Sequence, residues 1–279
     1  MWESRLSAYY LSQSFFISLI YVKFNFLTMV LDFILLIIAV ILFCILCFQI
    51  RHFDIPEYNG GKDTFPHRKK FKSVEETFYS VAGPYQTKQE IKIFRSLFKD
   101  KQPKEIIDAT AHVGVDSLTL AYSFPNAHVT SVERNPIVYK LLKENITNLG
   151  YIKHTNGQER ITAINMSADI YLENLDHNVD LIYMDPPWGG RGYVAASDLP
   201  LHDESGNPTI PLSKVINLAL KKTKLLVLKA PYNFKVDEFG EKIDGKIESV
   251  HNISRLNNTS PASFIFIIIK KRFLSQLSL

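Results

Sequence analysis

Asp185-Pro186-Pro187-Trp188-Gly189-Gly190 closes the apolar run Leu181-Ile182-Tyr183-Met184. A short apolar run that ends in an acidic residue and two prolines predicts a buried strand that stops abruptly. Proline cannot extend a sheet ladder, and its fixed φ makes a rigid turn. At the carboxyl end of an α/β strand, such a turn lies where open sheets bind their ligands. It presents a carboxylate, proline-flanked carbonyls and one large aromatic face to a single cleft. That set suits holding a flat, amine-bearing base while a group is transferred to its nitrogen. Such an amine is conjugated with its ring and is a poor nucleophile. Its N–H groups need acceptors and its lone pair must be aimed, with the reacting atoms roughly 3–3.5 Å apart. Asp185 and the carbonyl of Pro186 are the expected acceptors, and no strong base is required, because the proton becomes acidic as the N–C bond forms. Trp188, with Pro187 and Gly189 beside it, is the expected platform for the base.

A second motif stands upstream. Ile106-Ile107-Asp108 reads as a strand ending in an acid, followed by the small-residue turn Ala109-Thr110-Ala111-His112-Val113-Gly114 and a helix opening near Asp116 or Ser117. Glycine in that turn lets the backbone approach a ligand, and the helix start offers free N–H groups. A full dinucleotide fingerprint needs three glycines, and only Gly114 occurs here. Ala127 to Glu133 is the next strand. Its terminal carboxylate lies roughly 20 residues or a little more past Asp108, the place from which ribose hydroxyls are bound. Asn135-Pro136 predicts an N-cap and first helical position, for an amphipathic helix running to about Gly150. A third strand, Ile161 to Asn165, leads to Asp169.

These motifs resemble the class I methyltransferases of amino groups, whose fourth motif is Asp, Asn or Ser followed by Pro-Pro and an aromatic residue. The longer form, Pro186-Pro187-Trp188-Gly189-Gly190, is similar to the trimethylguanosine synthase family of RNA cap guanine-N2 methyltransferases. The resemblance covers about Phe78 to Lys271. It implies S-adenosylmethionine as cofactor, with Asp108, Thr110 and Gly114 around its methionine end, Glu133 on its ribose, Asp169 at its adenine amino group and Asp185 also within reach. His112 and Val115 stand where the family has glycine. It implies capped RNA as partner, with methyl transfer to guanine N2. A 7-methylguanine carries positive charge, and Trp188 would then add a cation–π contact of roughly 0.5–2 kcal/mol. The family's helical extension over cofactor and substrate is matched by Phe78-Tyr79-Ser80-Val81 and by Thr87-Lys88-Gln89-Glu90, a capping box opening a helix to about Phe98. Two other readings stay open. Asp rather than Ser at position 185 favours an adenine-N6 or other amino-group methyltransferase of nucleic acid. The altered loop at His112 admits a catalytically silent, membrane-tethered RNA-binding module.

The remaining elements complete an α/β domain. Pro211 to Lys222 reads as a helix, and Leu225 to Leu228 as a continuous apolar strand of the kind buried on both faces. Lys246 to Ile253 and Phe264 to Ile269 read as a final hairpin. The expected fold is a class I methyltransferase (Rossmann-like) sheet of seven strands, mostly parallel, with helices on both faces and a monomeric catalytic domain. Right-handed crossovers would place all the motif loops on one edge.

The amino-terminal part is different in kind. Phe33 to Ile50 is almost uninterruptedly apolar and long enough for one membrane-spanning helix, set at residues 27–50. Arg51, Lys62, Arg68, Lys69, Lys70 and Lys72 follow it, whereas only Arg5 and Lys23 precede it. A single-pass protein with its catalytic domain on the cytoplasmic side is therefore expected. Residues 51–73 read as a basic linker and 74–279 as the catalytic domain. Within residues 1–26, Tyr9 to Val22 is too short to span. It reads either as an interfacial segment or as sequence upstream of a start at Met29. Net charge of +4 permits an RNA partner without requiring one. The two cysteines, Cys44 and Cys47, lie inside the apolar run, so neither a disulfide framework nor a metal site is expected.

Overall fold

The computed structural model describes residues 31, 33–40, 50–53, 71–74, 82–148, 159–188, 195–202, 208–254 and 262–272. The chain divides into two compact units, Met1–Arg51 and His52–Leu279. In the first, residues 33–40 are helical and expose large apolar side chains, among them Phe33, Leu35 and Leu36. Among the described residues no helix is long and apolar enough to cross a membrane. Most of the expected span at 27–50, with Cys44 and Cys47, lies outside the described residues, as do residues 1–28.

The second unit is built on seven strands: β1 (Glu105–Asp108), β2 (His128–Glu133), β3 (Ile161–Asn165), β4 (Leu181–Met184), β5 (Leu225–Pro231), β6 (Gly245–Ser254) and β7 (Ala262–Lys271). Their order across the sheet is β6-β7-β5-β4-β1-β2-β3. The five strands from β3 to β5 are parallel, and β7 runs antiparallel between β5 and β6. Among the described residues of this unit, helix α1 (Pro84–Leu97) precedes the sheet, and five helices lie between its strands: α2 (Val115–Ser123), α3 (Pro136–Asn148), α4 (Ala168–Asn174), α5 (Leu212–Lys222) and α6 (Val236–Gly240).

Strand parity sorts the side chains into two layers. Ile106, Leu181, Tyr183, Val227 and Phe266 face the core shared with α1, α2 and α3, which supply Phe94, Leu118 and Leu142. Ile107, Ile182, Met184, Leu226, Leu228 and Ile267 face the other core, with Leu172 of α4, Val215 and Ile216 of α5 and Phe239 of α6. Burial on both faces explains why β4 and β5 read as continuous apolar runs. Phe94 fixes α1 to the sheet through an edge contact with Tyr183 at 5.7 Å and a tilted contact with Phe266 at 5.4 Å. Such ring pairs contribute about 0.5–1.5 kcal/mol each beyond burial.

Four details depart from the sequence-based reading. α1 begins at Pro84, with Gly83 as N-cap, and the Gln86 side chain accepts a bond from the Gly83 N–H at 2.7 Å. Thr87 instead donates its hydroxyl to the Gly83 carbonyl, and Glu90 is fully buried, so Thr87–Glu90 is not the capping box. The short strand Phe71–Val74, placed in the linker, is bound to α3. Asn145 accepts from the Lys72 N–H at 2.7 Å and donates to the Lys72 carbonyl at 2.8 Å, while its amide also reaches the Val113 carbonyl. β5 continues past Leu228 through Lys229 to Pro231. Between β4 and α5, Pro200–His202 and Pro208–Pro211 pair as an antiparallel hairpin that the proline-rich sequence concealed.

Candidate functional site

The carboxyl ends of β1 to β5 share one edge, and the motif residues gather there. The turn after β1 is fixed by its own backbone. His112 and Gly114 both adopt positive φ, 49° and 95°. Gly114 is required twice over, since a Cβ there would lie 2.6 Å from Leu142 Cδ1 and its backbone is left-handed. It is the N-cap of α2, whose first turn carries Asp116. The free N–H groups of that turn open toward the same edge.

Two carboxylates brace this loop in different ways. Glu133, at the tip of β2, accepts the His112 N–H at 3.0 Å on one oxygen and the Asn135 N–H at 2.7 Å on the other. Each oxygen keeps a lone pair for a hydroxyl donor. Burial raises the Glu133 pKa, and the two backbone N–H groups oppose the shift. Asp108 is fully buried and turned inward. It accepts the Ser117 hydroxyl at 2.6 Å, and Ser117 in turn accepts the Ser131 hydroxyl at 2.8 Å. Burial, aided by Asp116, pushes Asp108 up to about 8. It therefore shapes the loop from inside instead of lining open space. His112 is half-buried, and desolvation lowers its pKa to about 4, so its ring is neutral at pH 7. Asp169 sits in the first turn of α4, half-buried, just past the end of β3.

Asp185 follows directly on β4. Its backbone N–H donates to the Thr110 hydroxyl at 2.7 Å, which joins the β1 loop to the Pro-Pro turn. Its carboxylate meets a residue that the motif reading had missed. Lys229 of β5 is 1% exposed, and its Nζ stands 3.0 Å from Asp185 Oδ2, 3.3 Å from Asp116 Oδ2 and 3.8 Å from Glu90 Oε1. It also lies 4.7 Å from the centre of the Phe264 ring. Tyr183 donates its hydroxyl to Asp116 Oδ2 at 2.9 Å. Burial favours the neutral lysine, but Asp116, Asp185 and Glu90 outweigh it and hold the ammonium protonated. Burial likewise pushes Asp185 up, to about 7, against the pull of Lys229. The Asp185 side chain remains 19% exposed, so a substrate amine can reach it.

Pro186 is buried, Pro187 exposed, and Trp188 half-buried. Trp188 packs against both cores, with its ring centre 6.3 Å from that of Phe264 at a 52° tilt. Trp188 is thus seated by the sheet and is not a free-standing platform. Gly189 and Gly190 lie outside the described residues, as does Phe78 to Val81. Among the described residues no group of three or more His, Cys, Asp or Glu side chains could hold a metal ion.

Lys229, Asp116 and Glu90 carried one signal in the sequence. A lysine inside a strand buried on both faces must find acidic partners on the covering helices. Such partners cannot be identified from spacing, because they come from elements far apart in the chain.

Residues 72–197 match the family model described as "Putative SAM-dependent methyltransferase". Among curated proteins, the chain is 40% identical to the ribosomal RNA small subunit methyltransferase J of Acinetobacter baylyi over 105 residues, 36% of this chain and 37% of that protein. It is 29% identical to an uncharacterized protein of Acanthamoeba polyphaga mimivirus over 147 residues, 52% of this chain and 53% of that one. The chain spans about half, or less, of the length of these relatives. The crystal structure of the SAM-dependent methyltransferase from Agrobacterium tumefaciens superposes with a TM-score of 0.51 at 16% identity, covering 78% of this chain and 72% of that one. The fold is the Rossmann-like methyltransferase fold, with a mixed sheet of seven strands. S-adenosylmethionine is the cofactor that goes with it. The residues present fit that group. Glu133 offers acceptors for a ribose diol, Asp169 one for an adenine amino group, and the acidic edge suits a cationic sulfonium and ammonium.

Proposed function

We propose that this protein methylates an exocyclic amino group of a base in RNA, the amine being guanine N2. The observation that carries the reading is the Asp185-Pro186-Pro187-Trp188 turn. It lies at the end of β4, bonded through Thr110 to the cofactor loop, with an acceptor carboxylate beside a half-buried indole. S-adenosylmethionine supplies a sulfonium methyl group. Asp185 and the Pro186 carbonyl accept the amine's N–H groups and aim its lone pair, and the Asp185 carboxylate takes the proton released as the N–C bond forms. Trp188 supports the ring plane of the base.

Two RNA substrates have separate support. Trp188-Gly189-Gly190 supports a 7-methylguanosine cap, where the indole would meet a cation. The name of the Acinetobacter relative supports small-subunit ribosomal RNA. Incubation with labelled cofactor and a panel of 7-methyl-capped RNA, unmethylated-cap RNA, ribosomal RNA and DNA separates them. Nucleoside digestion should return N2,7-dimethylguanosine from a 7-methyl cap or N2-methylguanosine from ribosomal RNA. N6-methyladenosine alone would overturn the guanine reading, and no label in any nucleic acid would support the silent RNA-binding module. We further propose a membrane anchor within residues 27–50 with the catalytic unit on the cytoplasmic side, supported by the apolar run and the basic residues after it. Release of the protein by alkaline carbonate would disprove the anchor.

A further inference from the structure

Lys229 is a buried ammonium shared by carboxylates from three separate elements. Glu90 comes from α1, Asp116 from α2 and Asp185 from the tip of β4. Parity puts Lys229 on the same sheet face as Val227 and Tyr183, under α1 and α2. α1 is itself tied to the far side of the sheet, where Gln89 donates to the Ser254 carbonyl at 2.8 Å. The acid that would receive the substrate amine is therefore held from below by a cation, and that cation is held by two helices.

We infer that Lys229 is the positioning residue of the transfer site, fixing the Asp185 carboxylate in place and keeping it an acceptor. The inference rests on Asp185 receiving the amine as proposed above. An ionised carboxylate only accepts hydrogen bonds, whereas a protonated one presents an O–H donor. A donor facing an amine N–H opposes its alignment. Asp185 is pushed toward protonation by burial and then by Asp116 on α2, in a cluster that also holds Asp108 of β1, Glu90 of α1 and the Tyr183 phenol. Lys229 is the cation that opposes them at 3.0 Å. Removing it leaves carboxylates without their shared counter-charge, and protonation of Asp185 is the relief available at neutral pH.

The test is a carbon-13 carboxyl titration of the full chain, with the Asp185 resonance assigned by its loss in Asp185→Asn. In Lys229→Met the Asp185 midpoint should rise by about one pH unit or more, and in Lys229→Arg it should return most of the way to the parent value. An unmoved midpoint in Lys229→Met overturns the assignment. Should that variant fail to fold, Asp116→Asn in the lysine-bearing chain gives the complementary reading: the midpoint must fall, and an unchanged one overturns the assignment equally. With an RNA substrate in hand, the acid limb of kcat should follow the same order. A moved midpoint with no RNA methylated would leave Lys229 standing and remove the function. Methylation whose acid limb ignores Lys229→Met would do the reverse.

Discussion

The two halves of the sheet edge hold their carboxylates by opposite means. On the β1–β2 side, Glu133 is secured by two backbone N–H groups and Asp108 by a chain of two serine hydroxyls. On the β4–β5 side, Asp185 is secured by a buried ammonium, which also holds Asp116 of α2. Backbone dipoles are fixed by the fold and bring no net charge, so they suit a site that must bind a cationic cofactor and retain its own negative charge. A lysine brings full charge at one point, so it can support an acceptor that must stay ionised beside other acids. On the function proposed above, the difference separates a binding half from a transferring half.

The strongest way to break that division is to remove the acceptor of the transferring half. Asp185→Ala should lower turnover by two orders of magnitude or more, about 3 kcal/mol of transition-state stabilisation. S-adenosylhomocysteine affinity and Tm should change little, because Lys229 keeps Asp116 and Glu90 as partners. A collapse in Tm with turnover per folded molecule preserved would show that the Pro-Pro turn serves the fold instead.

The converse change belongs to the binding half. Glu133→Gln keeps the size of the side chain but turns one of two acceptors into a donor, which then faces a backbone N–H. S-adenosylhomocysteine affinity should fall about ten- to a hundredfold by isothermal titration, the range of one to two charge-assisted hydrogen bonds. Saturating cofactor should restore most of the turnover. If instead kcat falls as far as in Asp185→Ala, the two halves do not divide the work.

The binding half was the more legible in sequence, and the reason is geometric. The small-residue turn after β1 marks Gly114, the spacing to the next strand tip marks Glu133, and the resemblance adds Asp169 after β3. Asp185 was legible because two prolines mark the end of its strand. Lys229 was not, since its partners lie on α1, α2 and the β4 tip, and only the assembled sheet brings them together. Glu90 shows the same limit. An acid three residues after a threonine near a helix start fits a capping box and a buried ion pair equally well, and the deciding group is a lysine on a strand near the other end of the chain. The inward turn of Asp108 depends on Ser117 and Ser131, which likewise belong to other elements. The two-sided burial of β5 followed from the apolar run Leu225 to Leu228, whereas the hairpin at Pro200–Pro211 did not follow, because its prolines suggest a loop.

The smallest expected effect sharpens the comparison by stability. Burial raises the Asp108 pKa to about 8 in the folded chain, above its ordinary carboxylate value. A folded state that binds the extra proton loses stability as pH rises from the ordinary value through the folded one. Asp108 thus costs the protein nothing at pH 4, progressively more up to pH 8, and a constant amount beyond. Asn imitates the protonated form. Its oxygen still accepts the Ser117 hydroxyl, and only the long 3.4 Å bond from the Thr110 N–H is forfeited. Asp108→Asn should therefore match the parent in Tm near pH 4 and exceed it by about 3 °C or more at pH 8, corresponding to at least about 1 kcal/mol. Equal curves at both pH values would mean that Asp108 is ionised in the fold at neutral pH. In that case the β1–β2 side would also hold a fully charged carboxylate in its core, and the contrast with Lys229 and Asp185 would narrow to the choice of counter-group.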